Sequence, residues 1–428
     1  MKRAGFIALA VLLCTAMIFI AGCNRGQSAA ASGGRTEITL VNLKVEIDEA
    51  LKAYAQVYES QTGVRVTIRT YGGDSDYESN LQALINSGTE PEIFAFEGPT
   101  AYDRWKAAGR VTNLSDQAWA RDTDVAYMDG NTVGGFPLTV EGYGLGYNKA
   151  LLQRAGVDPA TLTNVAAIRA AFQRIDSMKA QLGIDAVVSM AAGPTMTWVT
   201  GLHGVNVYLT GGLPYNSPTR YIDMLLAGQV DNARLTKFAE YYSLLFQYSN
   251  RTTTLTGGYD QQLGDYALQK TVFIHQGNWL DPNFAEMGIT FEMGYAPHAF
   301  LDENTDGIFV AAPSWWLVNA RSANPEEGKK FLAAMASTPE GHDFMVNKAG
   351  MIPAFKSVRL SPTGPFSRAV QDWMSQGKIY NWQQYKLPDG FGMNTLGPIF
   401  TEMAAGRINT LQFVTQFTTA VAGIGSSR

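Results

Sequence analysis

Short apolar runs and helical apolar stripes take turns along this chain. Ile38–Val41 is a four-residue apolar run of the kind that forms a buried strand. Residues 46–60 then place Ile47, Leu51, Tyr54 and Tyr58 on one helical face, and Gly63 ends that helix. Val64, Val66 and Ile68 alternate with polar residues as a strand does. Leu81, Leu84 and Ile85 mark a second helix stopped by Gly88, Ile93–Phe96 predicts a third strand, and residues 100–108 predict a third helix before Gly109. Strand and helix alternating at this pitch predict an α/β fold, with a mainly parallel sheet covered on both faces. Nearer the C-terminus, Asn324-Pro325-Glu326-Glu327 predicts a cap, a first-turn proline and two acids at the positive end of a helix. Phe331, Leu332 and Met335 give that helix a buried face, and Thr338-Pro339-Glu340 repeats the punctuation at once.

The first residues follow another pattern. Lys2 and Arg3 precede an apolar stretch from Phe6 to Ile20, followed by Ala21-Gly22-Cys23. A basic start, an apolar stretch and small residues before a break describe an export signal. The stretch is shorter than the ~20 residues that a spanning helix prefers. Its end at a cysteine resembles a bacterial lipobox, which implies removal of residues 1–22 and a lipid on the sulfur of Cys23. Residues 23–35 are then the lipidated cysteine and a small, polar, flexible spacer. An extracytoplasmic lipoprotein anchored in a membrane is expected. Cys14 leaves with the signal and Cys23 is used by the lipid, so core burial rather than a disulfide must hold the mature chain.

A chain of 428 residues predicts two domains. Its net charge of −5 argues against nucleic acid as a partner. With 8 Trp and 19 Tyr, some exposed aromatics are expected to line a ligand site. Enzyme signatures are missing: there is no Gly-x-Ser-x-Gly elbow, His-Glu-x-x-His, Cys-x-x-Cys or phosphate-binding Gly-Lys-Ser/Thr loop. The histidines, His203, His275, His298 and His342, show no metal-ligand spacing, and no cofactor or metal is expected. Gly142-Tyr143-Gly144-Leu145-Gly146 lacks the final spacing of a dinucleotide loop. Asp302–Gly307 fits the first half of a calcium loop, but its twelfth position is Pro313 where a bidentate acid is needed; a polar surface turn and a calcium site both stay open.

The segment FPLTVEGYGLGYNK, residues 136–149, resembles bacterial extracellular solute-binding proteins of the maltose-binding-protein type, the capture subunits of ABC importers. Glu90–Phe94, Ala107–Leu114, Lys149–Pro159, Thr271–Leu280 and Asn324–Glu340 resemble further pieces of that family, in the same order. The resemblance implies a two-lobed periplasmic-binding-protein fold with a hinge and an interlobe ligand cleft. Chain crossings are placed near residues 138, 298 and 350. Lobe 1 is then 36–138 and 299–349, and lobe 2 is 139–298 and 350–428. The implied activity is capture without chemistry: a monomer that closes on a mono- or oligosaccharide and delivers it to a membrane permease.

A sugar offers apolar ring faces and hydroxyl edges, so its site needs aromatic faces and fixed carboxylates or amides. Glu141 matches the family's ligand carboxylate in a Val-Glu pair, and Trp279 matches its stacking tryptophan in a Gly-x-Trp setting. Trp198 lies near a third aromatic position of the family. Glu97, Asn42 and Lys44 end strands where open α/β sheets place ligand residues. Trp315 and Trp316 are adjacent on a strand and must face opposite ways, one toward the cleft and one toward the core. His203 and Tyr143 are weaker candidates. Phe96 and Pro99 depart from the family pattern, which argues against maltose itself. Two other readings remain: a surface-tethered glycoside hydrolase working with two carboxylates, and the same fold holding a polyamine, a metal chelate or a small anion.

Overall fold

The computed structural model describes residues 36–73 and 75–426. The export signal, Cys23 and the spacer lie outside the described residues. Among the described residues there are twelve strands: β1 (Glu37–Asn42), β2 (Arg65–Thr70), β3 (Ile93–Glu97), β4 (Tyr127–Asp129), β5 (Thr132–Pro137), β6 (Glu141–Asn148), β7 (Val188–Ser189), β8 (Phe273–Gly277), β9 (Met293–Ala296), β10 (Ile308–Ala311), β11 (Ser314–Val318) and β12 (Ile379–Tyr380). They form two sheets, ordered β2-β1-β3-β11-β5-β4 and β12-β10-β6-β8-β7, with β9 beside β6. Helices pack on both, and each sheet has its own apolar core. The result is a two-lobed α/β fold.

The early elements follow the apolar pattern closely. Helices cover Asp48–Thr62, Tyr77–Asn86 and Gly98–Ala107, one after each of strands β1, β2 and β3. The sheets themselves differ from the expected mainly parallel arrangement. Only β2, β1 and β3 run parallel in the first sheet; β11 is antiparallel to both β3 and β5. In the second, β6 is antiparallel to β8, β9 and β10. The cause is the hinge. A strand that arrives directly from the other lobe needs no crossover helix, and it is the crossover that imposes parallel order.

The first crossing lies where expected, near residue 138, and the two later ones do not. The chain leaves the first sheet at Pro137 and enters the second at Glu141. It returns between Ala311 and Ser314, because β10 belongs to the second sheet and β11 to the first; residue 298 lies inside lobe 2. The last crossing falls after Val358, not near 350. Phe355 packs against Trp119 and Phe136 of lobe 1, and so keeps this segment there. The chain then reaches lobe 2 at the helix Pro365–Ser375. Asp281 receives that helix, accepting the N–H groups of Phe366 (3.0 Å) and Ser367 (2.6 Å). Between the lobes, Ile352 O accepts from Val140 N (3.0 Å) and Thr139 Oγ1 (3.1 Å).

Late in the chain, the helix Pro325–Ser337 forms as predicted, but Asn324 does not cap it through its side chain. Its amide instead donates to Glu37 O at 3.3 Å. Thr338 does cap the next helix, accepting from Gly341 N at 3.1 Å.

Strand β11 holds Trp315 and Trp316 on opposite faces, and both are packed inside lobe 1. Trp316 is fully buried and lies 6.2 Å from the Phe136 ring. Trp315 stacks 5.6 Å from Phe96 and donates its Nε1–H to Val125 O at 2.8 Å. Removing a buried indole leaves a cavity that the surrounding structure fills only in part. Trp316→Ala is therefore expected to lower unfolding stability by about 3–5 kcal/mol, measured by urea denaturation.

Candidate ligand-binding cleft

Between the lobes lies a cavity of about 740 Å³. Its two walls differ in chemistry. Lobe 1 supplies charge, from the ends of its strands, as open α/β sheets do. Lys44 and Glu46 follow β1, and Glu97 closes β3. Glu141, the first residue of β6, stands at the crossing. Lobe 2 supplies rings: Trp198, His203, Tyr259, Trp279 and Tyr385.

Lys44 organises the charged wall. Its ammonium lies 2.5 Å from Glu141 Oε1 and 3.8 Å from Glu46 Oε1. Burial pulls this amine down, but Glu141, Glu46 and Glu97 together hold it above the usual lysine range. Burial pushes the Glu46 carboxyl up to about 7, against the pull of Lys44 and with repulsion from Glu141 and Glu97. Burial also raises Glu97, which accepts a hydrogen bond from Ser314 Oγ at 2.9 Å. A buried ammonium facing several buried carboxylates is stable only while each keeps partners.

The aromatic wall is tightly built. The Trp279 ring presses on Gly277, where an added Cβ would come within 2.2 Å of it. It stacks on His203 with centroids 5.0 Å apart and donates Nε1–H to Gln276 Oε1 at 2.8 Å. Trp279 is consequently 9 % exposed. Trp198 meets His203 edge-on at 5.6 Å and lies 6.1 Å from Tyr259. Tyr143, weighed as a candidate, sits behind this wall, with its hydroxyl donating to His203 O at 2.8 Å. Burial first, then nearby His275 and Lys44, lower His203 well below the ordinary imidazole range, so the ring facing the cavity is neutral.

The lobes touch at the cleft. Thr100 Oγ1 donates to Leu387 O at 3.1 Å, and Arg104 joins Glu78 of its own lobe (2.5 Å) to Asp389 of the other. Gly98, at φ 74°, lies so close to Tyr385 that a Cβ would come within 2.3 Å of that residue's own Cβ. Only glycine combines this backbone with this approach.

The candidates from sequence therefore separate. The cavity brings together Lys44, Glu97, Glu141, Trp198 and Trp279. Asn42, Trp315 and Trp316 do not line it. Asn42 is fully buried and shapes the turn that presents Lys44, accepting from Lys44 N (3.2 Å) and donating to Lys44 O (2.7 Å). The tryptophans of β11 are held in lobe 1 by their own packing partners.

Sequence reasoning missed Glu46, Tyr259, Gln384 and Tyr385. Residues 46–60 read as one helix, but the α-helix starts at Asp48 and Glu46 stands in a 3₁₀ turn before it. Gln384 is 1 % exposed, lines the cavity, and has no hydrogen-bond partner for either amide atom. The Tyr-aromatic-rich segment around Trp382 and Tyr385 was the one available signal.

The Asp302–Gly307 loop carries no cluster that could hold a metal, and none exists among the described residues. Asp302 pairs with Lys237 at 2.7 Å, Asp306 with Lys378 at 3.5 Å, and Asn304 accepts from Thr163 at 3.0 Å. No helix among the described residues is long and apolar enough to cross a membrane.

Against known families, residues 53–373 match the model described as bacterial extracellular solute-binding protein. The chain belongs to that family. It is a family of binding proteins that work outside the cytoplasm. No curated protein sequence gives a significant match. Among solved structures, the solute-binding protein RafE in complex with raffinose matches with a TM-score of 0.74 at 16 % identity, over 91 % of this chain and 100 % of that one. A sugar transporter from Bacillus licheniformis in complex with stachyose matches with a TM-score of 0.72 at 17 % identity, over 91 % and 100 %. An ABC substrate-binding protein from Listeria monocytogenes in complex with cycloalternan gives 0.69 at 16 % identity, over 92 % and 99 %. At these identities the likeness is one of fold.

Two predictions follow from the charged and polar walls. A carboxyl whose pKa is higher in the folded state favours folding below its unfolded value of 4.5, and that contribution is lost as pH rises through about 7. Glu46→Gln cannot ionise, so its melting temperature is expected to gain on wild type between pH 4.5 and pH 7, read by calorimetry. Gln384→Leu removes a buried amide without partners, whose burial costs about 1–3 kcal/mol. It is expected to raise the melting temperature of the unliganded protein.

Proposed function

We propose that this chain is the substrate-binding lipoprotein of an ABC transporter, which captures a carbohydrate between its lobes and delivers it to a membrane permease. The observation that carries this reading is the pairing of walls in one cavity, rings from lobe 2 facing carboxylates and a lysine from lobe 1. Aromatic faces suit the apolar faces of sugar rings, and fixed charged groups suit hydroxyl edges. The similar solved structures add weight, since those named above are complexes with raffinose, stachyose and cycloalternan. The protein acts as a monomer, tethered through a lipid on Cys23, and no covalent chemistry takes place.

The working cycle is a population shift. Ligand touches both lobes and so favours the closed arrangement by its differential affinity. Closure brings Lys44 and Glu97 of lobe 1 toward the rings of lobe 2, and reshapes the outer surface that the permease reads.

A thermal-shift screen of neutral oligosaccharides, raffinose and stachyose included, tests the proposal. A ligand at 100 times its dissociation constant stabilises by about 2.7 kcal/mol, so a clear rise in melting temperature is expected for at least one of them. Trp198→Ala and Glu141→Gln are each expected to weaken that ligand by tenfold or more, about 1.4 kcal/mol, measured by calorimetry. Release of reducing ends from an incubated glycan would replace this reading by a hydrolase.

A further inference from the structure

Charge is spread unevenly over this molecule. The whole chain has a net charge of −5. Around the cleft, carboxylates outnumber cations among the described residues, in two tiers. In the inner tier, Glu46, Glu97 and Glu141 face the single ammonium of Lys44, and the Lys44, Glu46 and Glu141 side chains are each nine-tenths or more buried. In the outer tier, Glu78 and Asp389 pair with the guanidinium of Arg104, Asp76 lines the cavity beside them, and the Arg104, Glu78 and Asp389 side chains are part-exposed. The imidazole of His203 adds no positive charge, since burial keeps it neutral. Tyr259 and Tyr385, which also face these acids, are held in their neutral form by burial.

An acidic cleft alone does not define a ligand. A second observation points the same way into the same cavity. Gln384, 1 % exposed, leaves its amide oxygen and nitrogen without partners, and His203, 8 % exposed, leaves Nδ1 without one. Buried polar atoms of this kind are normally paired. Their position asks for a ligand with several hydrogen-bonding groups, as a saccharide has. The inner tier asks for more than hydroxyls. A hydroxyl satisfies a carboxylate oxygen but brings no charge, and like charges gathered in a buried site repel strongly. Burial and this repulsion raise the Glu46 and Glu97 carboxyls; an arriving ammonium draws them back toward the ionised form and makes charge-assisted hydrogen bonds as well.

We propose that the ligand of this cleft is a saccharide carrying a protonated amine, with the ammonium seated among Glu46, Glu97 and Glu141 and the ring hydroxyls reaching Gln384 and His203. The inference rests on the carbohydrate reading above and narrows it. Lys44 stays paired with Glu141, and the incoming cation takes the carboxylate oxygens that Lys44 does not reach. The amine selects the ligand, and the aromatic wall of lobe 2 holds the rings.

Calorimetric titration of the full chain with matched probes tests this. The probes are oligomers of glucosamine and of N-acetylglucosamine of equal length, the neutral raffinose and stachyose, and spermidine as an amine without a ring, all at pH 6.5 and low salt. The glucosamine oligomer is expected to bind at least about tenfold more tightly than its N-acetylated counterpart, and to lose that advantage as salt is added. Glu46→Gln, with its fold checked by melting, is expected to reduce the ratio to about threefold or less. Equal binding of the two oligomers, or tighter binding of a neutral saccharide, overturns the amine and leaves the carbohydrate reading standing. Binding of spermidine as tight as that of the glucosamine oligomer, with no neutral saccharide bound, overturns the carbohydrate reading itself. Failure of every saccharide to bind overturns both.

Discussion

The ion pair between Lys44 and Glu141 is the constraint on which the cleft depends. It joins the segment leaving β1 of lobe 1 to the first residue of the strand that begins the second sheet, at 2.5 Å and out of water. Breaking a buried pair by removing one partner leaves an uncompensated charge, at a cost of about 3–5 kcal/mol. Both residues are thereby fixed, and with them the geometry between β1 and the hinge. Asn42 contributes by clamping the backbone of Lys44 from both sides. The remaining acids, Glu46 and Glu97, then adjust to a charge already set in place.

Everything around this pair keeps the two lobes separate yet close. Each sheet has its own core, so neither lobe needs the other to bury its apolar residues. The crossings are short and the contacts beside the cleft are polar: Thr100 with Leu387, Arg104 with Asp389, and Thr139 and Val140 with Ile352. Polar contacts of this kind exchange readily with water, and an interface built from them lets lobes move. Gly98 permits the closest approach, because any side chain there would strike Tyr385. A binding cycle by hinge motion is therefore compatible with two rigid bodies and a few mobile links.

Family membership and cleft chemistry support one another without being the same argument. The family match covers residues 53–373 and speaks to the kind of protein. The cleft speaks to the kind of guest, through rings on one wall and an excess of carboxylates on the other. Departures of Phe96 and Pro99 from the family pattern take on meaning here. Phe96 lines the cavity from lobe 1, but its ring is engaged by Tyr102, Tyr127 and Trp315 on the same lobe.

The local pattern of residues determined the elements of the first lobe, the α/β class and the placing of Glu97 and Lys44 as candidates, while Glu141, Trp198 and Trp279 were candidates only through the resemblance to the family. Periodicity and strand ends carry that information because they depend on neighbours a few positions apart. What lay beyond the sequence was long-range. The antiparallel order of β6 and β11 follows from strands that arrive across a hinge. The later crossings follow from the packing of Phe355 and from the sheet that claims β10. Trp315 and Trp316 look alike in sequence to a cleft tryptophan, and only their neighbours in space, Phe96, Val125 and Phe136, turn them inward. Glu46 and Gln384 are unremarkable as residues; they become members of one cavity because the fold buries them together, and burial is a property of the whole chain rather than of any segment.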